Sequence, residues 1–239
     1  MDHVSQLDLS LNPKAQINVS YFGMESQPFL LIDEVLLHPH DLQAYATQQA
    51  QFLPPTQGSF YPGKNADLPN EYGHILCQAM LPFLTRVFGF PVRSNQAYSG
   101  FLGLPTLADE ALSPLQTIPH FDSVNPHKIA MVHYLCPETY GGTGFYRHKQ
   151  TGFEYIDARR VNTYRQSVMS ELEGQSHPQH VTEDIDNFTL IHKAEVKFNR
   201  LIAYRSTSLH AGLLGHTPLA HDPQTGRLTA NSFIEPKLI

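Results

Sequence analysis

The hydrophobic pattern divides the chain near residue 90. Before it, apolar positions form one dense run and two helical faces; after it, they fall into short runs separated by turn residues. Residues 1–26 are polar and irregular and predict a loosely held arm. Residues 28–37 (PFLLIDEVLL) are dense in apolar side chains and predict a buried strand. Pro39 and Asp41 then open a helix expected to reach about residue 51, with proline in its first turn. Residues 52–70 carry Pro54, Pro55, Gly58, Pro62, Gly63 and Pro69 and predict a loop. Asn70 is placed to cap a second helix to about residue 88, where Ile75, Leu76, Ala79, Met80, Phe83, Leu84 and Val87 share a face and Gly89 ends it.

Beyond residue 90 the pattern predicts extended segments at 92–104, 128–135, 141–148, 188–191, 195–204 and 227–234. A loop at 107–117 leads to residue 120, and a helix is expected over 157–173 on the spacing of Val161, Tyr164, Val168 and Leu172. Helices first and many short strands after them predict a mostly β, α+β single domain over 1–239. The expected architecture is a β-sandwich or jelly roll with helical support. In that reading 27–90 form the support, and 91–239 form the core with an insertion at about 150–187.

Composition narrows the function classes. The chain has 239 residues, 41% hydrophobic and 16% charged, enough for one sizeable core. A formal charge of −6 without any run of Lys or Arg argues against nucleic acid and anionic membrane as partners. No apolar stretch has the length of a membrane span. The opening MDHVSQ lacks the basic-then-apolar layout of a signal peptide, so a cytoplasmic location is expected. Cys77 and Cys136 read as small buried apolar residues rather than a disulfide framework.

The candidate chemistry centres on IPHFD at 118–122. On a strand, His120 and Asp122 project from the same face and can hold two adjacent positions on a divalent metal. Alone the pair says little, since 14 histidines and 22 acidic residues in 239 give about one such pair by chance. A third ligand would complete the two-histidine, one-carboxylate triad of non-haem iron sites. His210 is the choice, because it follows the apolar strand LIAY at 201–204, where a ligand is held firmly. Arg227 opens the last strand, and a buried arginine there needs an anion that matches its fork. On that strand Arg227, Thr229, Asn231 and Phe233 share one face. His133 and His148 read as satisfied core or surface histidines. His74, His177, His180, His192, His216 and His221 read as surface.

In order and spacing these features resemble the Fe(II)/2-oxoglutarate oxygenases, in the branch similar to prolyl hydroxylases. The motifs are HFD at 120–122, HYL at 133–135, GGTGF at 141–145 and LIAYRSTSLHAG at 201–212, followed by Arg227. They lie within roughly residues 95–235. The resemblance implies a double-stranded β-helix with the N-terminal helices packed on it, and Fe(II), 2-oxoglutarate and O₂ as cofactors. It implies metal ligands His120, Asp122 and His210, and a 2-oxoglutarate carboxylate held by Arg227 with Tyr134 assisting. Thr229 is near enough along the strand to add a hydroxyl, and Arg205 is a rival to Arg227. The implied activity is hydroxylation of a small molecule or peptide side chain. Asp122 argues against halogenation, because the resembling halogenases lack that carboxylate. Two other readings stay open: a 2-oxoglutarate-independent, cupin-like metal protein, and a non-catalytic binding module. The insertion is expected to cover the barrel mouth or to form a subunit contact, which leaves a homodimer open.

Overall fold

The computed structural model describes residues 7–55, 59–90, 96–173, 179–183, 185–214 and 217–237. They form ten strands and three α-helices. In chain order these are β1 (Gln16–Phe22), β2 (Gln27–Asp33), α1 (Pro39–Gln48), β3 (Gly63–Asp67), α2 (Asn70–Phe88), β4 (Gln96–Pro105) and β5 (Ile129–Tyr134). After them come β6 (Thr143–His148), α3 (Val161–Leu172), β7 (Phe188–Ala194), β8 (Arg200–Arg205), β9 (His210–Gly212) and β10 (Thr229–Pro236). Seven strands make one sheet in the order β1-β2-β8-β5-β10-β4-β3, and three make a second in the order β7-β6-β9. Every pairing is antiparallel. From β4 onward the chain passes repeatedly between the sheets, consistent with a jelly-roll-like arrangement.

The central strands of the large sheet, β2, β8 and β5, are buried on both faces, which is why they read as apolar runs rather than alternations. On β5 all six residues are buried. Leu30, Ile32, Met131, Ala203 and Ala230 share one cluster with Leu42 of α1 and with Leu76, Met80 and Leu84 of α2. The alternate residues Phe29, Ala130, Val132, Ile202 and Tyr204 cluster instead with Phe145 of β6. One face therefore meets the helices and the other meets the second sheet. The outer face of the second sheet is covered in turn by Tyr164 and Val168 of α3, which pack with Tyr146 and Leu209. Gly89 ends α2 in the left-handed region (φ 67°), where its N–H reaches the Leu84 carbonyl.

Three sequence expectations need correction. The arm proposed for 1–26 contains β1, which runs beside β2 over its whole length. Its side chains are mostly exposed, so backbone pairing holds it and no hydrophobic signal marks it. The expected loop at 52–70 contains β3, an edge strand of sequence GKNAD with little apolar character. The strand expected over 195–204 starts only at Arg200, after Asn199 turns the chain at φ 64°. Residues 92–95 of another expected strand, together with His177 and His216, lie outside the described residues. No described helix is long and apolar enough to cross a membrane.

Candidate metal centre

Backbone pairing brings the three candidate ligands to one face. His120 and His210 exchange both backbone hydrogen bonds, each 2.8 Å, as an antiparallel bridge at the free edge of β9. Residues opposed in this way project their side chains to the same side. Asp122, two residues on, shares that side, and its N–H is fixed by the Ser206 carbonyl at 2.8 Å. One ligating atom from each of His120, Asp122 and His210 falls within 4.8 Å of the others. Asp122 Oδ1 lies 3.7 Å from His120 Nε2, and Oδ2 lies 3.7 Å from His210 Nε2. Adjacent ligands at about 2.1 Å from an octahedral ion would be about 3.0 Å apart. The separations, 3.7 Å and at most 4.8 Å, must therefore close by about 0.7–1.8 Å for the three side chains to bind one ion.

The protonation states suit a metal. His210 donates from Nδ1 to the Ser208 carbonyl at 3.0 Å, which leaves Nε2 as a lone pair facing Asp122. Burial lowers the His210 pKa to about 4, against the opposing effect of that hydrogen bond. His120, although its side chain is 54% exposed, is also held below its ordinary value, first by desolvation and then by His210, while Asp122 opposes the shift. Both rings are therefore neutral near pH 7. Burial raises the Asp122 pKa, with His120 and Lys128 pulling it down. The ring of Tyr204 packs on His210 at 4.8 Å and holds its plane.

The trio opens into a cavity of about 770 Å³ between the sheets. Arg227, Thr229, Asn231 and Phe233 all line it, so the face read from the sequence is the face the fold uses. Their neighbours Leu228, Ala230 and Ile234 point into the helix-side core. Arg227 is 6% exposed, and among the described residues it has no acidic partner. Its Nε donates to the Gly141 carbonyl at 2.9 Å and its Nη2 to the Gly142 carbonyl at 2.8 Å, while Tyr134 lies under the guanidinium at 5.8 Å. Those glycines have no room for a side chain: a Cβ would lie 1.9 Å from the Leu213 carbonyl oxygen at Gly141 and 1.8 Å from that of Ala194 at Gly142. The Gly-Gly turn thus lets β6 pass its neighbours closely and turns two carbonyls toward the arginine.

Other side chains fall less as the sequence suggested. Tyr134 does not line the cavity; its hydroxyl bonds Thr143 Oγ1 at 2.7 Å, and Thr143 is the residue that faces in. Arg205 is no rival, because it donates to the Pro126 and Phe88 carbonyls and is absent from the cavity wall. His133 and His148 are satisfied core histidines, the first between Tyr72 and Asn199, the second between Thr151 and Glu171. His180 is not a surface residue: it is 7% exposed and lines the cavity. His192 is not simply surface either, since it stacks on Phe22 at 5.3 Å. Sequence reading missed Tyr61, hidden in the Pro/Gly-rich segment before β3. Its buried hydroxyl has no hydrogen-bond partner among the described residues, and the residue lines the cavity together with Arg227 and Thr229. Tyr164, Arg165, Val168 and Met169 of α3 form another wall, so the insertion contributes to the cavity.

Residues 13–234 match the family model DUF6445, described as a family of unknown function. The chain belongs to the DUF6445 family. No curated protein matches this DUF6445 chain. Among solved structures it is similar to the non-heme alpha ketoglutarate dependent carbocyclase SnoK from nogalamycin biosynthesis, at 12% identity and TM-score 0.44, over 88% of this chain and 80% of that one. It is also similar to HygX from Streptomyces hygroscopicus with nickel, 2-oxoglutarate and hygromycin B bound, at 11% identity and TM-score 0.46, over 90% and 85%. EvdMO1 is matched at 10% identity and TM-score 0.42, over 93% of this chain and 56% of that one. Likeness at this level carries no information on reaction or substrate, so the chemistry of this DUF6445 protein has to come from its side chains.

Proposed function

We propose that this protein is an Fe(II)/2-oxoglutarate-dependent dioxygenase that hydroxylates a small molecule or peptide side chain, built on a double-stranded β-helix. The observation that carries this reading is Arg227: a buried cation without an acid, in the same cavity as two neutral histidines and a carboxylate. Burying an unpaired charge costs several kcal/mol. Two backbone carbonyls and an aromatic face offset part of that cost, yet Nη1 still lacks a partner among the described residues. A 2-oxo diacid supplies the missing anion while its other end reaches the metal ligands. A metal protein that uses no dicarboxylate has no need of such a group.

In this reading His120, Asp122 and His210 hold the ion, a donor set suited to non-haem Fe(II). Bound there, iron supplies oxidation of the substrate coupled to decarboxylation of 2-oxoglutarate. The chain itself does the positioning. Arg227 takes the distal carboxylate, and the hydroxyls of Tyr61 and Thr229, which line the same cavity, are placed to share it. Tyr134 acts one step back by fixing Thr143 and stacking beneath the arginine. Ala130 and Val132 on the cavity floor keep water from the centre.

Anaerobic titration tests the assignment. Fe(II) alone should give no visible band, and adding 2-oxoglutarate should produce the weak metal-to-ligand charge-transfer absorption of a chelated 2-oxo acid. Iron-loaded protein that shows no band with saturating 2-oxoglutarate would sink the reading.

A further inference from the structure

Most of the polar groups in the cavity already have work to do: metal binding, the Arg227 cluster, or the fold. Gln116, for example, donates to the Phe60 carbonyl and accepts from Ser113. The buried exception is His180, which the insertion delivers to the cavity wall. It is clamped at two points by the loop before the metal-binding segment. Its backbone N–H donates to Asp109 Oδ1 at 2.9 Å, and its ring Nε2 meets the Leu107 carbonyl at 2.7 Å. A carbonyl only accepts, so in the neutral ring Nε2, with Asp109 Oδ1 also 4.0 Å away, carries the hydrogen and Nδ1 carries the lone pair. Among the described residues Nδ1 has no hydrogen-bond partner and is not fully buried, and the residue lines the cavity. The same cavity is lined by apolar Ile118, Val168, Val181 and Leu214 beside the polar Gln116 and Arg165, and by Phe60 and Met169, which are 58% and 56% exposed. Large exposed apolar side chains gathered at a cavity mouth mark a binding surface.

We propose that the outer cavity binds an apolar small molecule carrying a single O–H or N–H donor, and that His180 Nδ1 accepts that hydrogen bond. This rests on the reading above only in taking the cavity as the substrate chamber. A fixed tautomer on a clamped ring costs little ordering entropy, so the acceptor is available before the ligand arrives. The contact selects against an analogue that cannot donate, because the buried lone pair is then left unpaired.

Matched probes test this: 4-pentylphenol against 4-pentylanisole, and 1-octanol against its methyl ether. Binding is measured by calorimetry on anaerobic protein loaded with Fe(II) and 2-oxoglutarate. The donor of each pair should bind roughly tenfold more tightly than its ether, the scale of one net hydrogen bond. His180→Gln keeps an N–H for Leu107 while its one acceptor, Oε1, leaves the Nδ1 position, and should largely erase the preference with little change in melting temperature. His180→Asn places an oxygen near the Nδ1 position and loses the Leu107 bond, and should keep most of the preference. Wild-type protein that binds none of the probes, or binds each pair equally, would overturn the proposal, as would a preference that survives in His180→Gln. A preference without any charge-transfer band would overturn the dioxygenase reading and leave the role of His180 standing.

Discussion

The guanidinium of Arg227 and the imidazole of His133 are both buried, and they make opposite demands on charge. Arg227 has to remain a cation and lacks an anion. Arg227→Met should therefore weaken 2-oxoglutarate binding by about 2–5 kcal/mol, the scale for truncating one side of a buried charge pair. Iron affinity should stay near wild type, and Arg205→Met should leave both unchanged, because its donors serve distant carbonyls. Equal 2-oxoglutarate affinity in wild type and Arg227→Met would remove the arginine from the site. His133 has to remain neutral. Asn199 Oδ1 takes its Nε2–H and the Tyr72 hydroxyl reaches Nδ1, and burial lowers its pKa to about 4 against the raising effect of Asn199. In the unfolded chain a histidine protonates near pH 6.5, so between about 6.5 and 4 the unfolded state binds the extra proton. This contribution is complete above pH 6.5 and is lost as the pH falls toward 4, by about 2 kcal/mol at pH 5. Urea unfolding at pH 7.5 and pH 5 should show that fall in wild type and a clearly smaller one in His133→Asn.

At the scale of elements, α3 is tied to the ligand-bearing segment. The Tyr164 hydroxyl donates to the Pro119 carbonyl at 3.2 Å, one residue before His120, and its ring meets Phe121 edge-on at 6.0 Å. Tyr164→Phe keeps the ring and removes the tether, so iron affinity should fall roughly tenfold, as for loss of a group that orients a metal ligand. An unchanged affinity would mean that the His120–His210 bridge suffices alone. Ile156, Tyr164 and Val168 of the same insertion complete a core with Tyr146 of β6. The β1–β2 hairpin is anchored in a comparable way. Glu154, 1% exposed, accepts from the N–H groups of Met24 and Glu25 and pairs with Arg147 at 2.8 Å. Glu154→Ala strands those donors and should cost about 3–5 kcal/mol, read as a lower unfolding midpoint.

For the molecule as a whole, ligand binding and stability are linked. A ligand that binds only the folded state at a hundred times its dissociation constant adds about 2.7 kcal/mol. Wild-type protein should gain one increment from Fe(II) and a further one from 2-oxoglutarate in chemical denaturation. Arg227→Met should keep the first and lose the second. A 2-oxoglutarate increment of equal size in the variant would place that ligand elsewhere on the protein.

Local chemistry made part of this legible in the sequence. The same-face spacing of His120 and Asp122 and the alternation of Arg227, Thr229, Asn231 and Phe233 follow from strand geometry, which depends on neighbours in the chain. Helix α2 was readable from its apolar face and Gly89 for the same reason, but Asn70 does not cap it: Pro69 stands at the N-cap and no side chain bonds the first turn. What the sequence left open was pairing. The pairing of β9 with residue 120 sets His210 opposite His120, and pairing with β2 turns a polar N-terminal stretch into β1. Nothing in the local composition announces either, since the stabilising bonds belong to the backbone that every residue shares. Tyr61 and His180 were invisible for a related reason. Each sits in an irregular segment, and only the packed fold decides that Tyr61 lines the same cavity as Arg227 and that the Leu107 carbonyl takes one His180 nitrogen.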